Sequence, residues 1–291
     1  MNLGVIAQRF GLPLRESIDA SAAAGVDGVQ LYAASPRERL VDFSAAERRE
    51  VREYCAGAGL EIFSICGEVG GFGFREADKN PAKIEYTKRN IDLALELGCH
   101  IVTSHIGVVQ TSPDSPLRQA QLAALAEIGR YAAACGAYLA IETGPEDAVT
   151  LNDFLDELDS PGIGVNLDPG NLVMITGTDP AAAVRTFGGR IVHSHIKDGV
   201  RYRPCEPERV YRAFATGGIK QLIAESGRLF AETPVGEGAV NWPEYVQAMA
   251  ETGFRGAWVI EREAANTSVK EISGIINRIR KLQGEKYAQL Q

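Results

Sequence analysis

Four apolar runs in the C-terminal half of the chain each end in a side chain that could bind a metal ion. The runs are YLAIE, GVNLD, IVHSH and AWVIE, and their last residues are Glu142, Asp168, His195 and Glu261. A charged group at the end of a buried strand is costly unless another group pairs with it. Three carboxylates that converge with an imidazole on one point would repel one another unless a divalent cation neutralised them. The pattern therefore predicts a metal site.

Each of these residues, taken alone, also has an ordinary structural interpretation. A carboxylate after an apolar run often caps the next helix or forms a salt bridge with a neighbouring loop. Four such residues at corresponding positions of successive runs favour metal binding instead. Three oxygen ligands and one nitrogen ligand favour Mn²⁺ or Mg²⁺, with Co²⁺ or Zn²⁺ as further candidates. A structural zinc site is not expected, because no cysteine cluster accompanies the set.

The elements that must position these residues alternate between strand-like runs and helical segments. The predicted strands are residues 3–7, 28–32, 61–66, 100–107, 137–142, 162–168, 190–198 and 256–261. The predicted helices are residues 14–25, 44–59, 81–98, 117–136, 151–159, 180–187, 241–253 and 269–282. This alternation predicts an α/β fold with parallel strands, and the strand count favours a closed (β/α)₈ TIM barrel with its chemistry at the carboxyl ends of the strands. An open doubly wound sheet is the competitor, but no GxGxxG motif opens the first helix.

Residues 197–241 form an unusually long connection after the seventh predicted strand. Such βα loops lie on the active-site face of a barrel, so this loop is predicted to be a lid, a substrate clamp or a subunit contact. A surface insertion without a role is the alternative. No linker or composition break divides the chain, and residues 1–291 are therefore predicted to form a single domain.

Composition narrows the class of protein. A chain of 291 residues, 45% of them hydrophobic, can bury a core of barrel size. The net charge of −8 weighs against nucleic acid as a partner. No apolar stretch reaches the roughly 18 residues of a membrane helix, and the N-terminus lacks the features of a signal peptide. Five scattered cysteines without CxxC spacing indicate reduced thiols, and therefore a cytoplasmic protein.

Further polar residues at the ends of the predicted strands are candidates for substrate binding: His105, Asn171, Arg201, Glu68 and Lys197. His105 is suited to a substrate hydroxyl or a proton relay, with a hydrogen-bonded rim histidine as the alternative. Asn171 lies in the segment LDPGN and could equally be a turn residue. Lys197 and Arg201 bring positive charge near His195, where an anionic enediolate or a phosphate could use it. A solvated loop is the alternative interpretation of both cations.

His193 lies two residues before His195, so on a strand both side chains point into the barrel. His193 would lie deeper, among the packed layers of the interior, and is predicted to be a core residue rather than a ligand. The stretch GGFGF, residues 70–74, is either a mobile aromatic flap over a substrate or simply a glycine-rich loop.

Several motifs resemble those of the sugar phosphate isomerase/epimerase superfamily, the xylose isomerase-like TIM barrels. The motifs are IETG (141–144), LDPGN (167–171), HIKD (195–198), VGEG (235–238) and VIERE (259–263). The resemblance covers nearly the whole chain, and the pattern is most like that of ketose 3-epimerases and inosose dehydratases or isomerases. It implies that the metal ligands are Glu142, Asp168, His195 and Glu261, and that a substrate-binding arginine falls on Arg201.

Two departures from the family pattern concern the substrate. Many members have histidine three residues after the aspartate ligand, where this chain has Asn171. The ketose epimerases carry a substrate-binding glutamate at the position of Ala148. The endonuclease branch of the superfamily is not expected, since its trinuclear zinc site needs more histidines than the four present here, of which His100 opens its strand at the opposite face.

The functional hypothesis is a metal-dependent isomerase or epimerase of a small ketose, cyclitol or related polyol. Glu142 and Glu261 would transfer the proton, and the metal would stabilise the enediolate. Alternatives are a lyase that dehydrates an inosose or keto sugar at the same site, a non-catalytic sugar-binding barrel, and a metallohydrolase. The resemblance also implies a homo-oligomer, either a dimer or a tetramer.

Overall fold

Eight parallel strands close into a barrel in the computed structural model, which describes residues 1–263 and 267–287. The neighbours around the barrel run β1-β10-β7-β6-β5-β4-β3-β2, and β8 and β9 form a separate two-stranded sheet. In chain order the strands are β1 (Asn2–Ile6), β2 (Gly28–Tyr32), β3 (Glu61–Cys66), β4 (Ile101–Ser104), β5 (Tyr138–Glu142), β6 (Ile163–Leu167), β7 (Ile191–Ile196), β8 (Asp198–Arg201), β9 (Phe230–Thr233) and β10 (Ala257–Ile260). The predicted (β/α)₈ TIM barrel is confirmed.

Helices follow the barrel strands and pack around them. They are α1 (Leu14–Ala24), α2 (Ala45–Gly57), α3 (Asn80–Leu97), α4 (Pro116–Ala134), α5 (Ala148–Leu158), α6 (Pro169–Asn171), α7 (Pro180–Phe187), α8 (Pro207–Thr216), α9 (Ile219–Ser226), α10 (Trp242–Glu251) and α11 (Val269–Tyr287). The Ser44 hydroxyl accepts the Glu47 backbone N–H, and the Glu47 carboxylate accepts the Ser44 N–H. This reciprocal pair explains why α2 begins where it does.

Two predicted boundaries were wrong for local reasons. The fourth strand ends at Ser104 rather than at residue 107, because Gly107 adopts a left-handed φ of 84° and the Ile106 carbonyl accepts the Phe74 N–H. The fifth helix begins at Ala148 rather than at residue 151, because the Asp147 carboxylate accepts the N–H groups of its first turn. Side-chain capping therefore decides an end that apolar periodicity does not mark.

An aromatic ring fills part of the interior of the barrel. The Phe63 ring packs inside with Ile6, Ala257 and Val259. A Cβ atom on Gly28 would lie 2.5 Å from this ring, so only glycine fits opposite it. The cavity of the barrel is lined by residues at the carboxyl ends of the strands, among them Glu142 and Glu261.

The long connection after β7 is a folded insertion rather than an irregular loop. β8 pairs with β9 in antiparallel register, from Asp198 opposite Thr233 to Arg201 opposite Phe230, and α8 and α9 lie between the two strands. Its apolar residues pack with residues that follow β6, in a cluster separate from the main core and made of Met174, Ile175, Val210, Ala213 and Leu222. The insertion therefore rests on the mouth of the barrel.

All five cysteines are free thiols, and Cys55, Cys66 and Cys99 are buried. Burial raises the pKa of Cys55 and of Cys99 to about 12, so both stay neutral. Among the helices that the structure describes, none has the length and apolar character needed to cross a membrane.

Candidate metal centre and active site

Glu142, Asp168, His195 and Glu261 converge at the mouth of the barrel, as the sequence predicts. All four are buried, and each offers a ligand atom within 4.8 Å of the others. His195 Nδ1 lies 3.4 Å from Glu142 Oε1, 3.4 Å from Asp168 Oδ2 and 3.3 Å from Glu261 Oε2. The common direction of the four barrel strands brings these residues to one point, although they lie far apart in the chain.

The orientation of His195 is fixed by Gln30, a residue that sequence reasoning missed. The Gln30 side-chain amide donates to Thr103 Oγ1 at 2.8 Å, which turns its carbonyl oxygen toward His195 Nε2 at 3.0 Å. His195 therefore donates its Nε2–H to Gln30 and turns Nδ1 toward the three carboxylates. Such a partner selects the ring nitrogen that is free to bind a metal.

Amide side chains also orient Glu142. Asn171 Nδ2 donates to Glu142 Oε1 at 3.0 Å, and Asn166 Nδ2 lies 3.4 Å from Glu142 Oε2. Asn166 Oδ1 in turn bonds His193 Nδ1 at 2.8 Å. Burial, reinforced by His195, holds the pKa of His193 well below its ordinary value, so this ring is neutral. His193 thus lies behind the cluster as a core residue, as the sequence analysis expects.

Lys197 is part of the site rather than of a solvated loop, so the alternative interpretation of this residue was wrong. It is only 3% exposed, and its Nζ lies 3.0 Å from Glu261 Oε2 and 3.6 Å from Glu263 Oε2. Burial opposes its charge, but Glu261 and Glu263 outweigh burial and raise the pKa of Lys197 well above its ordinary value. Burial also opposes ionisation of Glu261, yet Lys197 and His195 lower the pKa of Glu261 well below its usual range. Glu261 is therefore an ionised carboxylate.

The donor set fits a divalent cation. Three carboxylates and one imidazole are ligands that Mn²⁺ and Mg²⁺ share with Zn²⁺ and Co²⁺. Burial opposes a positive charge on His195, but Glu142 and Glu261 raise the pKa of His195 well above its ordinary value. The net field of the carboxylates therefore favours positive charge at the point where the four ligand atoms meet.

A cavity of about 370 Å³ opens above this cluster. Its floor is polar and includes Glu142, Glu261, Lys197 and Asn171. Its walls are largely apolar and include Phe72, Val108, Met174, Ile175, Phe214 and Phe230. A small polar molecule with an apolar face would match both parts of the cavity.

His105 and Glu68 lie together at the edge of the cavity. His105 Nδ1 is 3.0 Å from Glu68 Oε1, and His105 Nε2 is 3.9 Å from Glu142 Oε1. Burial opposes the charge of His105, but Glu142 and Glu68 raise its pKa to about 10. The ring lies beside Glu142, where it could donate a proton or a hydrogen bond.

Arg201 lies elsewhere, and its predicted substrate-binding role receives no support from the geometry. Its guanidinium donates to the Thr176 carbonyl at 2.9 Å and covers Gly177. Arg201 is not among the described residues that line the cavity, whereas Phe230, its partner across the β8–β9 pair, is. The role of Arg201 thus stays a prediction.

Sequence reasoning missed several residues of the site. Gln30 and Asn166 are polar residues inside apolar runs at inward positions, and this signal could have revealed them. Arg9, which lies 3.4 Å from Glu261, follows β1 rather than lying inside an apolar run, so this signal does not identify it. Tyr211 reaches the cavity from α8, and no pattern in the chain indicates where an insertion helix will lie.

Two proteins of similar sequence have names that refer to rhizopine catabolism and to epimerisation of L-ribulose 5-phosphate. The chain is 29% identical over 266 residues to the rhizopine catabolism protein MocC of Rhizobium meliloti, covering 86% of this chain and 75% of that protein. It is 27% identical over 269 residues to the putative L-ribulose-5-phosphate 3-epimerase SgbU of Escherichia coli, covering 88% of this chain and 87% of that protein.

Solved structures share the fold. A xylose isomerase domain protein from Planctomyces limnophilus superposes with a TM-score of 0.77 at 22% identity, over 98% of this chain and 97% of that one. A xylose isomerase-like TIM barrel protein from Mycobacterium smegmatis, in complex with magnesium, gives 0.71 at 20% identity, over 94% and 88%. The probable 3-DHS dehydratase AsbF of Bacillus anthracis gives 0.73 at 18% identity, over 95% and 99%.

The family itself is established by sequence. Residues 18–282, nearly the whole chain, match the family described as xylose isomerase-like TIM barrel. This match agrees with the closed barrel and with the resemblance carried by the strand-end motifs. The chain therefore belongs to the xylose isomerase-like TIM barrel family.

Proposed function

We propose that this protein is a divalent-metal-dependent isomerase or epimerase of a small ketose, cyclitol or related polyol. The observation that carries the proposal is the approach of Glu142 and Glu261 to one buried point from strands on nearly opposite sides of the barrel. Epimerisation removes a proton from one face of a substrate carbon and returns a proton on the other face. Two carboxylates on opposite sides of that carbon can perform these two steps. The epimerase and catabolic relatives are consistent with this class of chemistry.

The ion would be held by Glu142, Asp168, His195 and Glu261. When bound, it would polarise a carbonyl and a neighbouring hydroxyl oxygen of the substrate as a Lewis acid. We favour Mn²⁺ or Mg²⁺, and the magnesium in the mycobacterial neighbour supports this choice. Co²⁺ and Zn²⁺ remain compatible with the same donor set.

The side chains divide the proton transfer between them. One glutamate removes a proton from the carbon beside the carbonyl, and the other returns a proton on the opposite face, which gives epimerisation. Return to the adjacent carbon instead gives aldose–ketose isomerisation. Lys197 and Arg9 keep Glu261 ionised, while Asn171 holds Glu142 in place. The substrate oxygens would be met by His105, Asn171, Glu68 and Lys197 from the cavity floor and edge.

A dehydratase is the second candidate, and His105 is the observation that favours it. A leaving hydroxyl needs a proton donor, and the His105 ring lies on the cavity edge, 3.0 Å from Glu68 and 3.9 Å from Glu142. Glu142 or Glu261 would remove the proton, and His105 would protonate the departing oxygen. The dehydratase neighbour shares the fold of this chain.

The test is a screen of ketoses, inososes and keto acids in D₂O with the Mn²⁺-loaded protein, followed by NMR. We expect metal-dependent incorporation of deuterium into a substrate, and Glu142→Gln or Glu261→Gln should abolish it. The exposed Glu244→Gln, which alters a surface ion pair with Arg185 and a hydrogen bond from Asn241, is the matched control and should exchange normally.

The outcomes separate the alternatives. Loss of water from the substrate identifies the dehydratase. Retention of exchange by both site variants would contradict the mechanism. Binding without any exchange would indicate a non-catalytic sugar-binding barrel, and release of a new product group without C–H exchange would indicate a metallohydrolase.

We also propose a cytoplasmic location and a homo-oligomer, either a dimer or a tetramer. The five free thiols support a reducing compartment. Gel filtration with light scattering would measure the oligomeric state.

A further inference from the structure

The insertion is fastened to the barrel rim through the first turn of α8. Arg75 forms two hydrogen bonds with Glu208, at 2.8 Å and 2.7 Å, and Gln110 bonds the same carboxylate. Arg75 follows β3 and Gln110 follows β4, so Glu208 joins the helix to two neighbouring βα loops. Paired arginine–carboxylate bonds fix direction as well as distance. The next residues of α8 are thereby held over the mouth of the barrel.

Tyr211, one turn after Glu208, lines the cavity beside Glu142 and Asn171. Its ring lies 5.7 Å from the His105 ring, measured between centroids. A Cβ atom on Gly144 would lie 2.8 Å from the Tyr211 hydroxyl and 2.7 Å from Asn171 Cβ. Gly144 has a φ of 141°, so the backbone conformation and the available space both require glycine there. The missing side chain makes room for the phenol next to the Asn171–Glu142 pair.

The Tyr211 hydroxyl forms no hydrogen bond with any residue in the described part of the chain. Burial, together with Glu142, raises the pKa of Tyr211 well above its ordinary value, so the phenol stays protonated. The half-buried Tyr211 side chain thus faces the cavity with its hydroxyl donor free for a bound molecule.

We propose that Tyr211 is a substrate-binding residue, whose hydroxyl donates a hydrogen bond to an oxygen of the bound polyol beside Glu142. The insertion is then a substrate clamp, because α8 carries this group and the Arg75–Glu208 pair sets its position. This inference rests on the proposed function only in taking a polyol as the ligand.

The test measures binding by calorimetry, with xylitol and myo-inositol as non-reacting linear and cyclic polyols on the Mn²⁺-loaded protein. One of the two polyols should bind the native protein. We expect Tyr211→Phe to lower the affinity for that polyol by about tenfold, because one hydrogen bond to the ligand is lost. Tyr202→Phe removes a hydroxyl from an exposed tyrosine of the same insertion, and its affinity should equal that of the native protein.

Glu208→Gln is the second variant. It tests whether Glu208 affects binding by placing the Tyr211 hydroxyl or by stabilising the fold in general. It should weaken binding by about threefold in the native background and have no effect in the Tyr211→Phe background, since both changes act through one hydroxyl. Thermal unfolding of each variant verifies folding.

Two results would overturn the inference: equal affinity of Tyr211→Phe and the native protein, or binding of neither polyol by the native protein. Failure of the proposed function is distinct from either result. It would appear as weakened polyol binding in Tyr211→Phe together with no C–H exchange on any sugar of the D₂O screen.

Discussion

Gln30 decides which nitrogen of His195 faces the carboxylates, and its own orientation depends on Thr103. Replacing Gln30 by leucine removes the acceptor for His195 Nε2–H, so the ring loses both its orientation and its tautomer preference. We expect Gln30→Leu to weaken Mn²⁺ affinity by about 10- to 100-fold, the usual effect of losing such a partner. Calorimetric titration measures this affinity.

Gln121→Leu is the matched control for this prediction. Gln121 is also a buried glutamine, but its amide donates to the backbone carbonyls of Ile106 and Gly107. This variant should lose stability and keep its Mn²⁺ affinity. Equal affinities of native and Gln30→Leu protein would show that the hydrogen bond to His195 is irrelevant to the metal.

Glu146 is a buried carboxyl whose ionisation opposes folding. Val109 N–H donates to one oxygen at 3.1 Å, the other oxygen has no partner in the described structure, and burial raises the pKa of Glu146 to about 8. The folded chain therefore holds this proton more tightly than the unfolded chain. The associated stability is complete below the unfolded pKa and is lost as pH rises through the folded one.

Glu146→Gln should remove this dependence. Relative to the native protein, we expect the variant to gain about 3 to 4 kcal/mol of unfolding free energy between about pH 5 and about pH 8. Urea unfolding at both pH values measures the difference. Glu61→Gln, at an exposed carboxyl, is the control and should follow the native curve. A constant difference between Glu146→Gln and native protein would contradict the argument.

How much of the site the sequence reveals differs from residue to residue. Asp168 and Glu261 are recognisable because each follows an apolar run, where an unpaired charge would be too costly. Arg201 and Lys197 could not be separated by sequence, since both are cations shortly after β7. Their different contacts appear only in the folded chain, where Arg201 donates to the Thr176 carbonyl and Lys197 is paired with Glu261.

At the scale of elements, Asp198 joins the insertion to the barrel. Its carboxylate accepts the backbone N–H groups of Gly236 and Val240 and the indole N–H of Trp242, at 2.8, 3.1 and 2.9 Å. We expect Asp198→Ala to lower the free energy of unfolding by about 3 kcal/mol, because several buried donors lose their acceptor together. Chemical denaturation measures the loss.

Asp179→Ala provides the comparison. Asp179 caps α7 by accepting two N–H groups of its first turn, and removing such a cap costs about 1 kcal/mol. If Asp198→Ala costs no more than Asp179→Ala, then Asp198 is an ordinary turn residue and does not hold the VGEG segment.

The elements of the barrel could be predicted and the fold of the insertion could not. Apolar runs with regular helical spacing between them identify strands such as β5 and β6. In residues 197–241 the chain forms the antiparallel β8–β9 pair with two short helices between the strands. This insertion packs against Met174 and Ile175, which follow β6. Long-range packing of this kind leaves no local period in the sequence.

At the scale of the whole molecule, barrel closure brings the first and last barrel strands together. β1 pairs with both β2 and β10, so Arg9, which follows β1, lies 3.4 Å from Glu261, which follows β10. Strand count and chain length predict this closure, but they do not predict which side chains meet. The metal centre is therefore a property of the closed barrel rather than of any segment.

The central claim is that the barrel mouth binds one divalent ion through the four strand-end residues. Its most direct test is titration of native protein with Mn²⁺ in a calorimeter, beside Asp168→Asn and the helix-capping control Asp147→Asn. We predict a single Mn²⁺ per chain for native protein and control, and an affinity more than about a hundredfold weaker for Asp168→Asn. Native protein that takes up no Mn²⁺, or unchanged binding by Asp168→Asn, would contradict the account.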